Sequence, residues 1–141
     1  MAAINSRRVA LGAVAGGVVW TIWSMVINIA VLGPRYKEAQ SAGLLLKEPR
    51  YSYFLGIWIV TLFLLSWGLA CLYAWVRATR GAGPRTAAII GLLVGFAAGF
   101  PGNFATATWS PLARTFPLWW MLELWVGAIL AALVAGWLYR D

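Results

Sequence analysis

The chain has 141 residues, 62% hydrophobic and 11% charged, with 11 Lys and Arg against 4 Asp and Glu for a formal net charge of +7. Soluble domains carry about 25% charged residues, and a chain this short has too little interior to hide so much apolar surface from water. Lipid is therefore the expected solvent. The basic residues flank apolar runs and form no stripe on a polar face, which excludes nucleic acid and favours anionic headgroups.

The expected fold is all-α: an integral membrane bundle of four transmembrane helices, up-down-up-down, in one domain over residues 1–141. Each crossing needs about 20 apolar residues in helix. The first predicted span is 9–32, which contains no charge and stops at Gly33-Pro34. Arg7-Arg8 ahead of it is a feature shared with export signals. The run is long, however, and ends in Leu-Gly-Pro without a small-residue cleavage site, so it reads as a retained helix. In the loop that follows, Tyr36, Ala39, Gly43 and Leu46 fall at helical spacing. They are compatible with a short helix in the headgroup plane or with a solvated connector.

The second predicted span is 53–76, ending before Arg77. The third begins after Gly83-Pro84-Arg85, and its unbroken part, 86–100, gives only about 22 Å of helix against a hydrocarbon core of about 30 Å. It is therefore expected to continue to 108 with a kink near Pro101, where Asn103, Thr106, Thr108 and Ser110 can serve the broken backbone. The fourth span is 118–138. Pro34, Pro84 and Pro117 all stand at element starts, where a missing N–H costs nothing. Arg7, Arg8, Arg77, Arg80, Arg85 and Arg140 fall on one side; Arg35, Lys37, Lys47, Arg50 and Arg114 fall on the other. The excess is slight and places both termini in the cytoplasm.

Helices in lipid need close backbone approach to associate. Ala87, Gly91, Gly95 and Gly99 form a strip along the third span, Gly12 and Gly16 one along the first, and Ala128, Ala132 and Gly136 one along the fourth. Such strips pack one bundle internally; the alternative for the third is a glycine-zipper seam between copies in a homo-oligomer. The chain is rich in tryptophan, with 10. Tyr51, Tyr53, Tyr73, Trp75, Trp109, Trp119, Trp120, Trp137 and Tyr139 fit an aromatic belt at headgroup level. Trp20, Trp23, Trp58, Trp67 and Trp125 lie deeper, filling the core with indole N–H groups bonded to oxygens, or walling a cavity for a flat apolar ligand.

Glu123 is the one charge within "LWWMLELWVG". By depth it falls at the level of Asn28. Thr21, Ser24 and Asn28 share one face of the first helix. With Asn103 and Thr106, these residues predict an outward-facing polar pocket whose candidate ligand or ion residues are Glu123, Asn28, Ser24 and Asn103. Ionisable groups inside membranes mark function by default. Glu123 therefore either hydrates near the interface or pairs with Arg114 or Arg50, hydrogen-bonds Asn28 as a buried protonated acid, or binds a cation, proton or substrate amine.

Chemistry has few resources here. There is no histidine, one cysteine, Cys71, in an apolar run, and only Glu38, Glu48, Glu123 and Asp141 as carboxylates. No paired-carboxylate site, triad, phosphate loop, metal site or cofactor site can be assembled, so no enzyme is expected.

The stretch "CLYAWVRATRGAGPRTAAIIGLLVG", 71–95, the "N-x-x-V-L-G" from Asn28 to Gly33, and the closing "G-W-L-Y-R" resemble a family of small bacterial four-helix integral membrane proteins without a known activity. The resemblance implies the four-span plan and a bacterial inner membrane, and brings no chemistry with it. The expected function is that of a non-catalytic assembly or accessory subunit, in contact with lipids and with copies of itself or other membrane subunits. The alternative is a small transporter, channel or ligand sensor built on Glu123 and Asn28.

Overall fold

A computed structural model of the chain describes residues 3–139, and all regular structure among them is helical. Arg140, used in the orientation count and the closing motif, and the terminal Asp141 lie outside the described residues. Five α-helices follow one another. Four are long and apolar enough to cross a membrane by length and composition.

Helix α1, Ser6–Met25, starts where the Asn5 side chain accepts a 3.2 Å hydrogen bond from the Arg8 N–H. This satisfies one of the donors that a helix start leaves open. The helix passes directly into a π-helical segment, Val26–Val31, in which the Leu32 N–H reaches back to the Ile27 carbonyl at 2.9 Å. Gly33-Pro34 then opens α2, Gly33–Ser41.

Helix α2 covers Tyr36 and Ala39 and stops short of Gly43 and Leu46, so the loop is part helix and part connector. Gly43 stands at φ 76°, the Leu44 N–H bonds the Ala39 carbonyl at 2.9 Å and the Gly43 N–H bonds the Gln40 carbonyl at 3.1 Å. This is a Schellman stop, which needs a left-handed residue that glycine supplies without steric cost. Gly43, which shares the helical spacing, ends the helix.

Helix α3, Phe54–Arg80, runs past the expected boundary at Val76. Arg77 and Arg80 occupy its last turn, where positive charge meets the negative end of the helix dipole. Helix α4, Pro84–Trp109, continues through Pro101. Asn103 Nδ2 donates to the Gly99 carbonyl at 2.7 Å and Thr106 Oγ1 to the Gly102 carbonyl at 3.0 Å, so both bond within their own helix. Helix α5, Thr115–Leu138, takes Pro117 into its first turn and not at its first residue.

The small-residue strips decide how these helices meet. Along α4, a Cβ added at Gly91 would lie 2.6 Å from Ile129 Cα, one at Gly95 2.7 Å from the Trp125 carbonyl oxygen, and one at Gly99 2.9 Å from the Met121 carbonyl oxygen. The α4 strip is thus filled by α5 of the same chain, running antiparallel. That contact occupies the face the sequence offered as a seam between copies. On α1, Gly12 faces Ala135, and Gly16 is wedged between Ser66 of α3 and Ala131 of α5. Helix α5 packs on the other three long helices, while the backbones of α1 and α4 do not approach closely among the described residues.

Outside this core the helices present Leu55 at 67%, Ile29 at 65% and Leu93 at 62% exposure. Such a surface is costly in water and costs nothing in hydrocarbon. Tyr73 faces inward: it is 1% exposed and its hydroxyl accepts the Gly83 N–H at 3.0 Å. It packs edge-on against Tyr139, whose hydroxyl accepts the Asn5 N–H at 2.9 Å. These tyrosines tie the turn at 81–83 and the start of α1 to the core.

Candidate functional site

Glu123 lies on the face of α5 that turns toward α1 and α3, and it is 2% exposed. The Ser24 hydroxyl of α1 donates to Glu123 Oε1 in a short hydrogen bond. Trp58 of α3 aims its indole N–H at the same oxygen, 3.1 Å away, and also lies 3.3 Å from Ser24 Oγ. One carboxyl oxygen therefore joins three helices.

Two further tryptophans close the group from α1. Trp20 is fully buried and donates to the Glu123 backbone carbonyl at 3.1 Å; Trp23 donates to the Leu122 carbonyl at 3.2 Å. Trp20 fits because Gly127 stands beneath it: a Cβ there would collide with the indole nitrogen. Three of the five deep tryptophans thus spend their N–H groups on oxygens of the Glu123 turn or its side chain. Of the other two, Trp125 covers Gly95 and meets Phe96 edge-on, and Trp67 is 54% exposed.

The network continues toward the end of the bundle. Asn28, in the π segment, donates its Nδ2 to the Ser24 carbonyl at 2.9 Å. Its Oδ1 accepts the Tyr36 hydroxyl of α2 at 2.6 Å, and that hydroxyl accepts the Trp120 indole N–H of α5 at 2.9 Å. Tyr36 also packs against Phe116, itself 3% exposed, with ring centroids 5.4 Å apart. Helix α2 is in this way docked onto the π segment and α5 through one phenol.

No protein-family model, curated protein or solved structure matches this chain.

Of the four predicted pocket residues, three come together. Glu123 and Ser24 bond directly, and Asn28 joins them through Ser24 and not by a bond to Glu123. Asn103 stands apart, lining a groove between α4 and α5. Neither Arg114 nor Arg50 forms an ion pair with Glu123. Thr21 also stands apart, donating to the Gly17 carbonyl of its own helix at 2.8 Å. Among the described residues no group of three His, Cys, Asp or Glu side chains comes close enough to hold a metal.

Tyr36 is the member that sequence reasoning missed. Its spacing with Ala39, Gly43 and Leu46 marks it only as one position of a short surface helix or of a solvated connector. The available signal was a lone aromatic inside the charged run "PRYKEAQ", close after the Asn28 turn. Burial pushes the Tyr36 phenol above its usual value of 10.0; the Trp120 N–H pulls it down and the Glu123 charge adds to the rise. Because the folded value is the higher one, the stabilisation from Tyr36 is complete below about pH 10 and falls as pH rises through the folded value.

Replacing Tyr36 with Phe is expected to cost about 1–2 kcal/mol at neutral pH, since Asn28 and Trp120 each lose a partner. Thermal unfolding in detergent should show this gap between wild type and variant shrinking above about pH 10. A gap that is constant or widens with pH would contradict the placement of the phenol.

Proposed function

We propose that this chain is a non-catalytic integral membrane protein acting as an accessory or assembly subunit, self-associating or joined to other membrane subunits. The observation that carries this reading is the use made of Glu123. The one carboxylate within the four long helices is bonded by Ser24 and Trp58 and walled by Trp20 and Trp23, so its Oε1 binds helix to helix. What the protein offers outward is apolar: Leu55, Val60, Leu64, Leu93 and Phe104 are all exposed on long helices. A surface of this kind works through lipids and neighbouring membrane helices, without a cofactor. The slight excess of Lys and Arg on the side of the termini accords with both ends lying in the cytoplasm, and the resemblance of the 71–95 stretch accords with a bacterial membrane.

The test is the oligomeric and partner state of the protein purified in mild detergent and again in bilayer discs. A defined oligomer, or a stoichiometric membrane partner, is expected in both. A lone monomer in both media would overturn the proposal.

One observation favours a second reading, that of a small transporter, channel or ligand sensor. Both side-chain bonds to Glu123 fall on Oε1, and the hydrogen-bonded chain leads on to Tyr36 beyond the first span. On this reading Glu123→Gln abolishes ion conduction or ligand-induced thermal shift. A variant that conducts and binds as wild type does would eliminate it.

A further inference from the structure

The π segment, the Glu123 network and the glycine strips all belong to the packing already described. Two lateral grooves do not. The larger, about 670 Å³ between α1 and α3, has no charged residue in its lining. The smaller, about 370 Å³, opens between the second half of α4 and the first turns of α5. Its walls are Phe100 and Phe104 on one side and Leu118 and Met121 on the other. Phe104 is 60% exposed and Leu118 50%, so the groove opens sideways.

Arg114 also lines it, exposed, with a guanidinium that makes no hydrogen bond or ion pair with any described residue. Asn103 lines the same groove; one of its two amide N–H groups is committed to Gly99, and its Oδ1 accepts no hydrogen bond from a described residue. From Phe100 to Ala107 the α4 wall is about 10 Å long at 1.5 Å per residue. That is shorter than the ~15 Å of a single leaflet's hydrocarbon.

We infer that this groove is a binding site for one anionic glycerophospholipid, with the phosphate on Arg114 and the first part of an acyl chain between the two phenylalanines and Leu118–Met121. The charge argument selects this occupant. A guanidinium with five donors and no internal partner is matched by a phosphate oxygen pair. An apolar wall less than a leaflet deep, beginning directly below that charge, is matched by a chain attached to the same headgroup. Asn103 Oδ1 is left to accept a hydroxyl of the headgroup, as a glycerol headgroup would offer. The inference rests on the membrane reading above.

The test is native mass spectrometry of the detergent-purified protein with three probes: phosphatidylglycerol, diacylglycerol of the same chains, and glycerol phosphate. One phosphatidylglycerol per chain should be retained about fivefold to tenfold more strongly than diacylglycerol, as expected for one interfacial arginine–phosphate contact. Arg114→Gln should lower phosphatidylglycerol to the diacylglycerol level with helix content unchanged. Ala107→Trp, which fills the groove, should remove specific retention while leaving Arg114 in place. Equal retention of diacylglycerol, full retention by Arg114→Gln, or competition by glycerol phosphate alone would each overturn the site. The membrane reading fails separately, if the chain is folded and monodisperse in buffer without detergent or lipid.

Discussion

Gly95→Val is expected to cost about 3 kcal/mol or more, the upper end of overpacking in a well-packed core. A single added carbon already meets the Trp125 carbonyl oxygen and Cδ1 at 2.7 Å and Trp125 Cα at 2.9 Å. Two of these three atoms are backbone, so no rotamer change on α5 relieves the clash; the helices must separate. Separation would also open the neighbouring contacts of Gly91 with Ile129 and of Gly99 with Met121. Gly68→Ala on α3 is the control. Nothing lies within 4 Å of the Cβ it would add, and alanine is the better helix former by about 1 kcal/mol. Thermal unfolding in detergent should show a large fall for Gly95→Val and no loss for Gly68→Ala. Equal behaviour of the two variants would mean that α4 and α5 do not meet along this strip.

Glu123→Ala is expected to be comparably damaging, at about 3 kcal/mol. Interhelical hydrogen bonds in membranes contribute about 0.6 kcal/mol on average and up to about 1.7, so two bonds to Oε1 account for roughly 1–2 kcal/mol. A cavity left by a side chain 2% exposed accounts for the remainder. Two companion variants separate these contributions. Glu123→Gln retains an acceptor at the Oε1 position and should lose about 1 kcal/mol or less. Glu123→Leu fills the space but offers Ser24 and Trp58 nothing, so it should fall between the two. The Trp58 indole reports the same event: its fluorescence should change in the alanine and leucine variants and stay near wild type in the glutamine variant. If Glu123→Ala unfolds at the wild-type temperature, the network is not what joins α1, α3 and α5 at this level.

Much of the architecture was legible because it follows from solvent. Four apolar stretches in a chain with 11% charge leave no other assignment than long helices, and the glycines and prolines near their ends punctuate them. The site was legible in part. Glu123 drew attention as an isolated carboxylate, and Ser24 and Asn28 as polar residues one turn apart on the same helix face. Asn103 was misplaced because similar depth does not mean the same side of a helix. Depth follows from a residue count, whereas facing depends on how each helix is rotated against its neighbours.

Tyr36 was missed for a related reason. The π segment at Val26–Val31 and the Schellman stop at Gly43 set where α2 starts, turns and ends, and both depend on backbone bonds that periodicity does not encode. The α4 strip carries the same lesson. Glycines four residues apart announce a close helix contact, yet a contact within the chain and a contact between copies need the same residues. The sequence by itself determined the helical class, the apolar spans and the presence of one interior acid, because hydrophobicity and helix length are properties of a segment alone. Only the tertiary structure decided that α5 fills the α4 strip, that Ser24 and Trp58 hold Glu123, and that Tyr36 docks α2. These are pairings between distant segments, selected by which faces can come close enough to exclude everything else.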